Sequence, residues 1–429
     1  MASPLDRALR NAGYLLGGKA AGGIFGFGTT LLAARSLGLE GFGILLLIHA
    51  FAGSVCSVTR LQSWQPLLQF GSAPFQAGTT NEFQVLLRHC IFLDGLGALA
   101  GVAVGLPVAW LAGPALGWSG HSGAALAYVT SILFMNTGSA LGLMRLTDRF
   151  ATAALADTAG AAVRLIGTLA GMLLHWRLPE FLAIWYFSTV TAFSIDAAVM
   201  RGIILRTPSL LDFRLTGGRC WSRIEGIWKF TFLTSANQTL IDLSSKIGIL
   251  LVGAAIGPAD AALFRVTAQI GEAVSQPAQL LTLSLYPEFV KLRDNQDPQA
   301  MRRIVFGVFR GLAPFSILAL GAAGFAGPWL LSALLGIRHS GVLFLLLLMT
   351  AAAVLDVWDV PLEPMLVALG QAKQLFRGRL GGMLLALPLL YFLARLWGVD
   401  GAAAGLLAGE IVIFLTRLVP FLTMNGVRR

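Results

Sequence analysis

Arg265, Gln269, Glu272, Gln276 and Gln279 recur at spacings of four, three, four and three, which places them on one face of a helix. The surrounding segment is apolar. A lipid-facing stripe of this kind would leave charges and amides unsolvated, so the face predicts a helix that lines water or pairs with a polar neighbour at bilayer depth. The preceding stretch supplies such a neighbour. Thr234, Gln238, Asp242 and Lys246 stand every four residues, and Asp242 and Lys246 have the spacing of an intrahelical ion pair. Two readings follow: a water-lined cavity, or two helices joined by polar contacts. One or two polar groups suffice to join helices, so the larger number here favours the cavity. The chemistry open to these groups is recognition: cations offset anions, and glutamine amides bond hydroxyls.

The first half of the chain repeats the theme more thinly. Lys19, Arg60, Asp94, Asp157, Arg164 and Asp196 all fall in or beside apolar stretches. Lys19 and Arg60 are near enough to an interface to snorkel, whereas Arg164 is deeper. Later, Asp356, Asp359 and Glu363 form an acidic face interrupted by Pro361 and Pro364, and Glu410 stands alone. Carboxylates at low dielectric are candidates for proton or cation coupling, which singles out Asp242, Glu272, Asp356 and Glu410. The alternative is that they balance nearby cations such as Arg265. No nucleophile elbow, phosphate loop or metal-ligand spacing occurs, and His49, His89, His121, His175 and His339 are scattered singly. Cys56, Cys90 and Cys220 show no paired spacing. The expectation is a non-enzyme with no cofactor and no metal.

The elements that must carry these residues are membrane spans. The chain is 56% hydrophobic and 12% charged, with mean hydropathy +0.76, outside the range of a soluble domain. Apolar stretches of bilayer-crossing length predict about twelve spans, near residues 13 to 36, 42 to 62, 84 to 112, 122 to 144, 152 to 175, 180 to 204, 227 to 256, 260 to 286, 304 to 326, 341 to 368, 379 to 397 and 400 to 423. The N-terminal apolar stretch has no cleavage signal after a short core and reads as a retained first span. This partition sends Arg7, Arg10, Arg145, Arg149, Arg206, Arg214, Arg219, Arg223, Lys291, Arg293, Arg302, Arg303, Lys373, Arg377, Arg379, Arg428 and Arg429 to one side. The other side receives little beyond Arg35, Arg177, Arg338 and Arg395. The asymmetry predicts both termini in the cytoplasm of a multi-pass protein. The net charge of +10 is therefore a topology signal, and its spread over short loops argues against a nucleic-acid partner.

The longest polar interval, TPSLLDFRLTGGRCWSRIEG at residues 207–226, divides the chain into an N-terminal lobe (1–206), a basic cytoplasmic linker (207–226) and a C-terminal lobe (227–429), each lobe with six spans. The turns RSLGLEGFG (Arg35 to Gly43) and AIGPADAALF (Ala255 to Phe264) share a glycine followed by an acid before the next span. The fourth and tenth spans end in RLTDRF and GQAKQLF. These matches suggest a parallel repeat. Gly18, Gly22 and Gly26 stand four apart in the first span, a pattern of close helix approach or of bending.

The runs AARSLGLEGFGILLLI, SSKIGILLVGAAIGPADAALFRVTAQIGEAV, LYPEFVKLRD and PLEPMLVALGQAK together resemble the polysaccharide-transporter branch of the multidrug/oligosaccharidyl-lipid/polysaccharide exporter superfamily. The resemblance implies an all-α polytopic membrane protein with two six-helix lobes around a central cavity. It also implies a flippase for lipid-linked sugars of the O-antigen or exopolysaccharide type in a bacterial inner membrane. The partner would be a polyprenyl-diphosphate oligosaccharide, with polysaccharide polymerase or assembly proteins beside it. The positions that fit a cationic and polar binding role are Lys19, Arg60, Arg164, Gln238, Lys246, Arg265, Gln269 and Gln276. Two other classes remain: a cation-coupled multidrug exporter of the same superfamily, and a non-transporting scaffold of a polysaccharide assembly complex. Short outer turns argue against a glycosyltransferase, polymerase or ligase.

Overall fold

The computed structural model describes residues 4–215, 224–335 and 342–423. Part of the basic linker, with Arg219, Cys220 and Arg223, lies outside them, as do Arg338, His339, Arg428 and Arg429; so do the side chains of Arg7, Arg10 and Gln279. Fourteen α-helices carry the described chain: α1 (Pro4–Thr59), α2 (Trp64–Ala77), α3 (Thr80–Ala112), α4 (Ser122–Val129), α5 (Gly138–Leu146), α6 (Phe150–Leu173), α7 (Leu178–Arg206), α8 (Ile227–Ile256), α9 (Pro258–Asp294), α10 (Pro298–Phe325), α11 (Gly327–Leu335), α12 (Val342–Asp359), α13 (Leu362–Ala368) and α14 (Ala372–Thr423). Short 3-10 turns occupy Thr130–Phe134 and Pro208–Leu210, and the described residues contain no strand. The protein is an all-helical polytopic membrane protein.

Among the described residues, eight helical segments are long and apolar enough to cross a membrane. Two of them are double, because α1 bends at Gly38 and α14 bends at Trp397 and Gly398. Adding α8 and α9, of 30 and 37 residues, gives twelve passes. Gly38, Gly257 and Gly398 each adopt positive φ (70°, 106° and 63°), and Glu40, Asp260 and Asp400 follow within three residues. Glycine permits the left-handed turn, and an acid at the start of the next helix complements its dipole.

Two compact units emerge, Met1–Ile247 and Gly248–Arg429. Their boundary falls inside α8, twenty-one residues beyond the end of the polar linker at Gly226.

In the first unit, α6 packs against α1 and α7, while α3 supports α1, α2 and α5. The approach of α1 to α6 is closest at Gly18, where a Cβ would stand 2.7 Å from that of Ala154. Gly22, one turn on, has open space, and Gly28 approaches α6 again, where a Cβ would stand 3.2 Å from Leu165. A core of Leu67, Phe83, Leu86, Leu143 and Met144 joins α2, α3 and α5.

Two breaks in this unit are not among the expected features of the spans. The second pass ends at Thr59, near the expected residue 62. The chain unwinds over Arg60 to Ser63 and resumes as α2, through residues whose glutamines and prolines read as a loop in sequence. The fourth pass is broken likewise, at Met135 to Thr137 between the 3-10 turn and α5.

In the second unit, α12 is central and packs on α9, α10 and α14. The tenth pass is interrupted between α12 and α13 at Val360 and Pro361, where proline removes a backbone donor. The two arms of α14 pack closely: a Cβ on Gly405 would overlap Leu390, and one on Gly409 would press on Ala386.

Candidate functional site

The first unit gathers its polar groups along one face of α1. His49, Gly53, Ser57 and Arg60 are separated by four, four and three residues, so they share that face. The first half of α8 runs against it. Arg60 Nη2 donates to Asp242 Oδ2 at 2.7 Å, and Gln238 Nε2 donates to Asp242 Oδ1 at 2.9 Å. Lys246 Nζ donates to Ser57 Oγ at 2.7 Å and to the Gly53 carbonyl at 3.2 Å. Thr239 Oγ1 donates to the Ser57 carbonyl at 2.8 Å, and Ser235 Oγ accepts from the Gln62 amide at 2.9 Å. The i, i+4 spacing of Asp242 and Lys246 is thus used for cross-helix bonds to α1. The half-buried Arg60 and Lys246 have different company: a carboxylate for Arg60, neutral oxygens for Lys246.

The breaks in the second and fourth passes meet at Asp94, a buried residue of α3. Ser63 Oγ donates to Asp94 Oδ1 at 2.5 Å, the Ser139 amide donates to Asp94 Oδ2 at 2.6 Å, and Asn136 Nδ2 donates to the Asp94 carbonyl at 2.9 Å. Ser63 precedes the first residue of α2, and Ser139 is the second residue of α5. One carboxylate therefore takes the Ser63 hydroxyl just before α2 and a backbone amide of the first turn of α5, where backbone donors lack intrahelical partners and the dipole favours negative charge. Irregular backbone at membrane depth requires such satisfaction. It also fixes the segment that presents Arg60.

Arg164, on α6, lies farther along. Its Nε donates to Ser188 Oγ at 3.0 Å on α7, and its guanidinium stacks over Trp185 at 4.7 Å from the ring centre. Trp185 meets His49 edge-on at 4.9 Å, and His49 Nδ1 is 2.7 Å from the Tyr128 hydroxyl. Among the described residues no carboxylate lies within 4.0 Å of Arg164 or Lys246. Lys19 is exposed on α1.

The second unit treats charge differently. Arg265 Nη1 donates to Glu272 Oε1 at 2.5 Å across two turns of α9, so the two charged members of the stripe neutralise each other. Gln269 is half-buried with Oε1 unsatisfied among the described residues, and Gln276 is exposed. Arg417, 3% exposed, is paired with Asp359 and, at 2.9 Å, with Glu363; Arg379 reaches Glu363 at 3.5 Å. Asp356 and Glu410 are half-buried on α12 and α14. Arg417 was not singled out in sequence, because a cation near the inner end of a span reads as an interfacial anchor. The signal was its position one double turn from Glu410. The His49, Tyr128 and Trp185 group beside Arg164 carried no sequence signal, since it comes from three helices.

No family model matches the chain. The Inner membrane protein YghQ of Escherichia coli strain K12 is 24% identical over 334 residues, covering 77% of this chain and 93% of its own length. Among solved structures, an inward-facing multidrug resistance MATE transporter of the MOP superfamily superposes with TM-score 0.75 at 12% identity, over 95% of this chain and 96% of its own. The lipid II flippase MurJ in an inward closed conformation gives 0.70 at 12% identity, over 95% and 87%. A MOP superfamily transporter from Pyrococcus furiosus, described as having a binding pocket of reverse polarity that suggests a different function, gives 0.62 at 13% identity over 100% and 97%. The chain has the fold of the MOP superfamily transporters.

Proposed function

We propose that the protein is a flippase that moves polyprenyl-diphosphate-linked oligosaccharides from the inner to the outer leaflet of a bacterial inner membrane by alternating access, for cell-surface polysaccharide synthesis. Both termini face the cytoplasm, and the organisation is two lobes, 1–206 and 227–429, around the basic linker. The observation that carries this reading is the state of Arg164 and Lys246. Both are at membrane depth with hydrogen bonds only to neutral groups among the described residues. A cation held there without a carboxylate is costly unless an anion visits it. A diphosphate supplies that anion, and Gln238, Gln269 and Gln276 offer amides to sugar hydroxyls. The likeness to a lipid II flippase supports a lipid-linked cargo. Moving two negative charges outward from a negative interior is favoured by about 4 to 5 kcal/mol per 100 mV, so the membrane potential suffices as a drive.

The second reading is a cation-coupled multidrug exporter, supported by the likeness to MATE. That reading needs a carboxylate open to a cation. Asp242, Glu272, Asp359 and Glu363 are already paired with arginines, so that reading would rest on Glu410, half-buried on α14. The test is outer-leaflet appearance of the lipid-linked oligosaccharide in cells with and without the protein. Inner-leaflet accumulation in its absence is expected; unchanged appearance would favour the exporter.

A further inference from the structure

The two arms of α14 lie antiparallel and touch through small residues. A Cβ on Gly378 would overlap the Thr416 hydroxyl, and one on Gly382 would press on the Gly409 carbonyl. Between the start of the first arm and the end of the second, this packing leaves a surface groove of about 420 Å³, lined by Gln374, Arg377, Gly378, Leu415, Thr416 and Val419. Its apolar wall continues toward the middle of the second arm. Val419, Leu415 and Ile411 are exposed and four residues apart, so they form one row. That row is about 12 Å long at 1.5 Å per residue, within the ~15 Å depth of one leaflet's hydrocarbon. On the first arm, Gly381 stands one turn beyond Arg377 on the same face, with nothing within 4 Å of a Cβ.

Charge marks one end of this groove. Arg379 reaches Glu363 at 3.5 Å. Arg377, two residues before it, is exposed and has no carboxylate within 4.0 Å among the described residues. Lys373, one turn earlier on that face, is exposed as well. Both cations sit in the first two turns of α14, where the helix dipole adds partial positive charge. On the proposed topology this end lies at the cytoplasmic interface, and the arginine stem is long enough to bring its head to the level of lipid phosphates. A zwitterionic headgroup would bring a cation of its own against Arg377 and Lys373; an anionic one would not.

We propose that this groove is a binding site for an anionic phospholipid of the inner leaflet, with its phosphate at Arg377 and Lys373 and one acyl chain along Leu415 and Ile411. The site is confined to the second unit, shares no residue with the Arg60, Arg164 and Lys246 group, and does not rest on the flippase reading. A polyprenyl carrier fits less well, because its chain is far longer than a row that ends within one leaflet.

The test uses the full chain purified in detergent, with native mass spectrometry counting the lipids retained during titration with phosphatidylglycerol and phosphatidylcholine of identical chains. Wild-type protein should retain one phosphatidylglycerol at least about fivefold more tightly than phosphatidylcholine. Arg377→Gln should weaken that binding about fivefold, and Arg303→Gln, which deletes another exposed cation of the same unit, should leave it unchanged. Gly381→Leu keeps every charge and fills open space on an exposed helix face, so it should weaken retention of both lipids without lowering the melting temperature. Equal retention of the two lipids by the wild type, retention unaffected by Gly381→Leu, or equal losses for Arg377→Gln and Arg303→Gln would overturn the site in favour of diffuse surface charge. Displacement of phosphatidylglycerol by equimolar undecaprenyl phosphate would overturn it in favour of the carrier.

Discussion

The two units handle buried cations in opposite ways. In Gly248–Arg429, Arg265 is matched by Glu272, and Arg417 by Asp359 and Glu363. In Met1–Ile247, Arg60 has a carboxylate, while among the described residues Lys246 and Arg164 are left to serine hydroxyls, a carbonyl and an indole. Paired charge fixes packing; the proposed flippase reading assigns the cations without a carboxylate to a visiting anion. The broken helices follow the same division. The first unit resolves its breaks around an acid, Asp94, that accepts from both broken segments, and the second flanks its break with Asp359 and Glu363 around an arginine.

This contrast is breakable by substitution, with stability of the purified protein as the measure. The largest effect is expected at Arg417→Met, which strands Asp359 in the core and should cost about 3 to 5 kcal/mol. Adding Asp359→Leu and Glu363→Leu should recover most of that loss, because an apolar replacement removes the desolvation penalty too. Asp94→Ala should cost about 2 to 3 kcal/mol, since donors at two helix ends lose a charged acceptor. A double-mutant cycle on Arg60 and Asp242 should give a coupling of about 0.5 to 3 kcal/mol. For Arg265 and Glu272, whose side chains are 27% and 46% exposed, the coupling should stay within about 1 kcal/mol. Arg164→Gln should change stability least, or raise it, because no carboxylate is stranded by its loss. A strong destabilisation there would erase the distinction between the units.

Much of this organisation was legible in sequence. The stripe on α9 and the four-residue ladder of α8 are periodic, and periodicity survives folding. The hairpin turns were visible because glycine followed by an acid has a local backbone cause, confirmed by positive φ at Gly38 and Gly257. The proline interruption beside Asp359 and Glu363 is local as well. What escaped is non-local. The helix α2 contains Gln65, Pro66, Gln69, Gly71 and Pro74, and its polar glutamines read as loop until Leu67 and Gly71 are seen packed against α3 and α5. The role of Asp94 depends on two breaks brought together across three passes. Glu272 was weighed as a coupling acid or a counter-ion; the structure gives it Arg265 as a partner, which the i, i+7 spacing already allowed.

The most direct test of the central claim is leaflet transfer of a fluorescent polyprenyl-diphosphate sugar in vesicles reconstituted with the purified protein. It is run with Lys246→Gln plus Arg164→Gln against the charge swap Arg265→Glu plus Glu272→Arg, which preserves the second unit's pair. The account predicts transfer near zero for the first variant, near wild type for the swap, and faster transfer when the lumen mimicking the outside is made positive. Wild-type transfer by the doubly substituted first unit would contradict it.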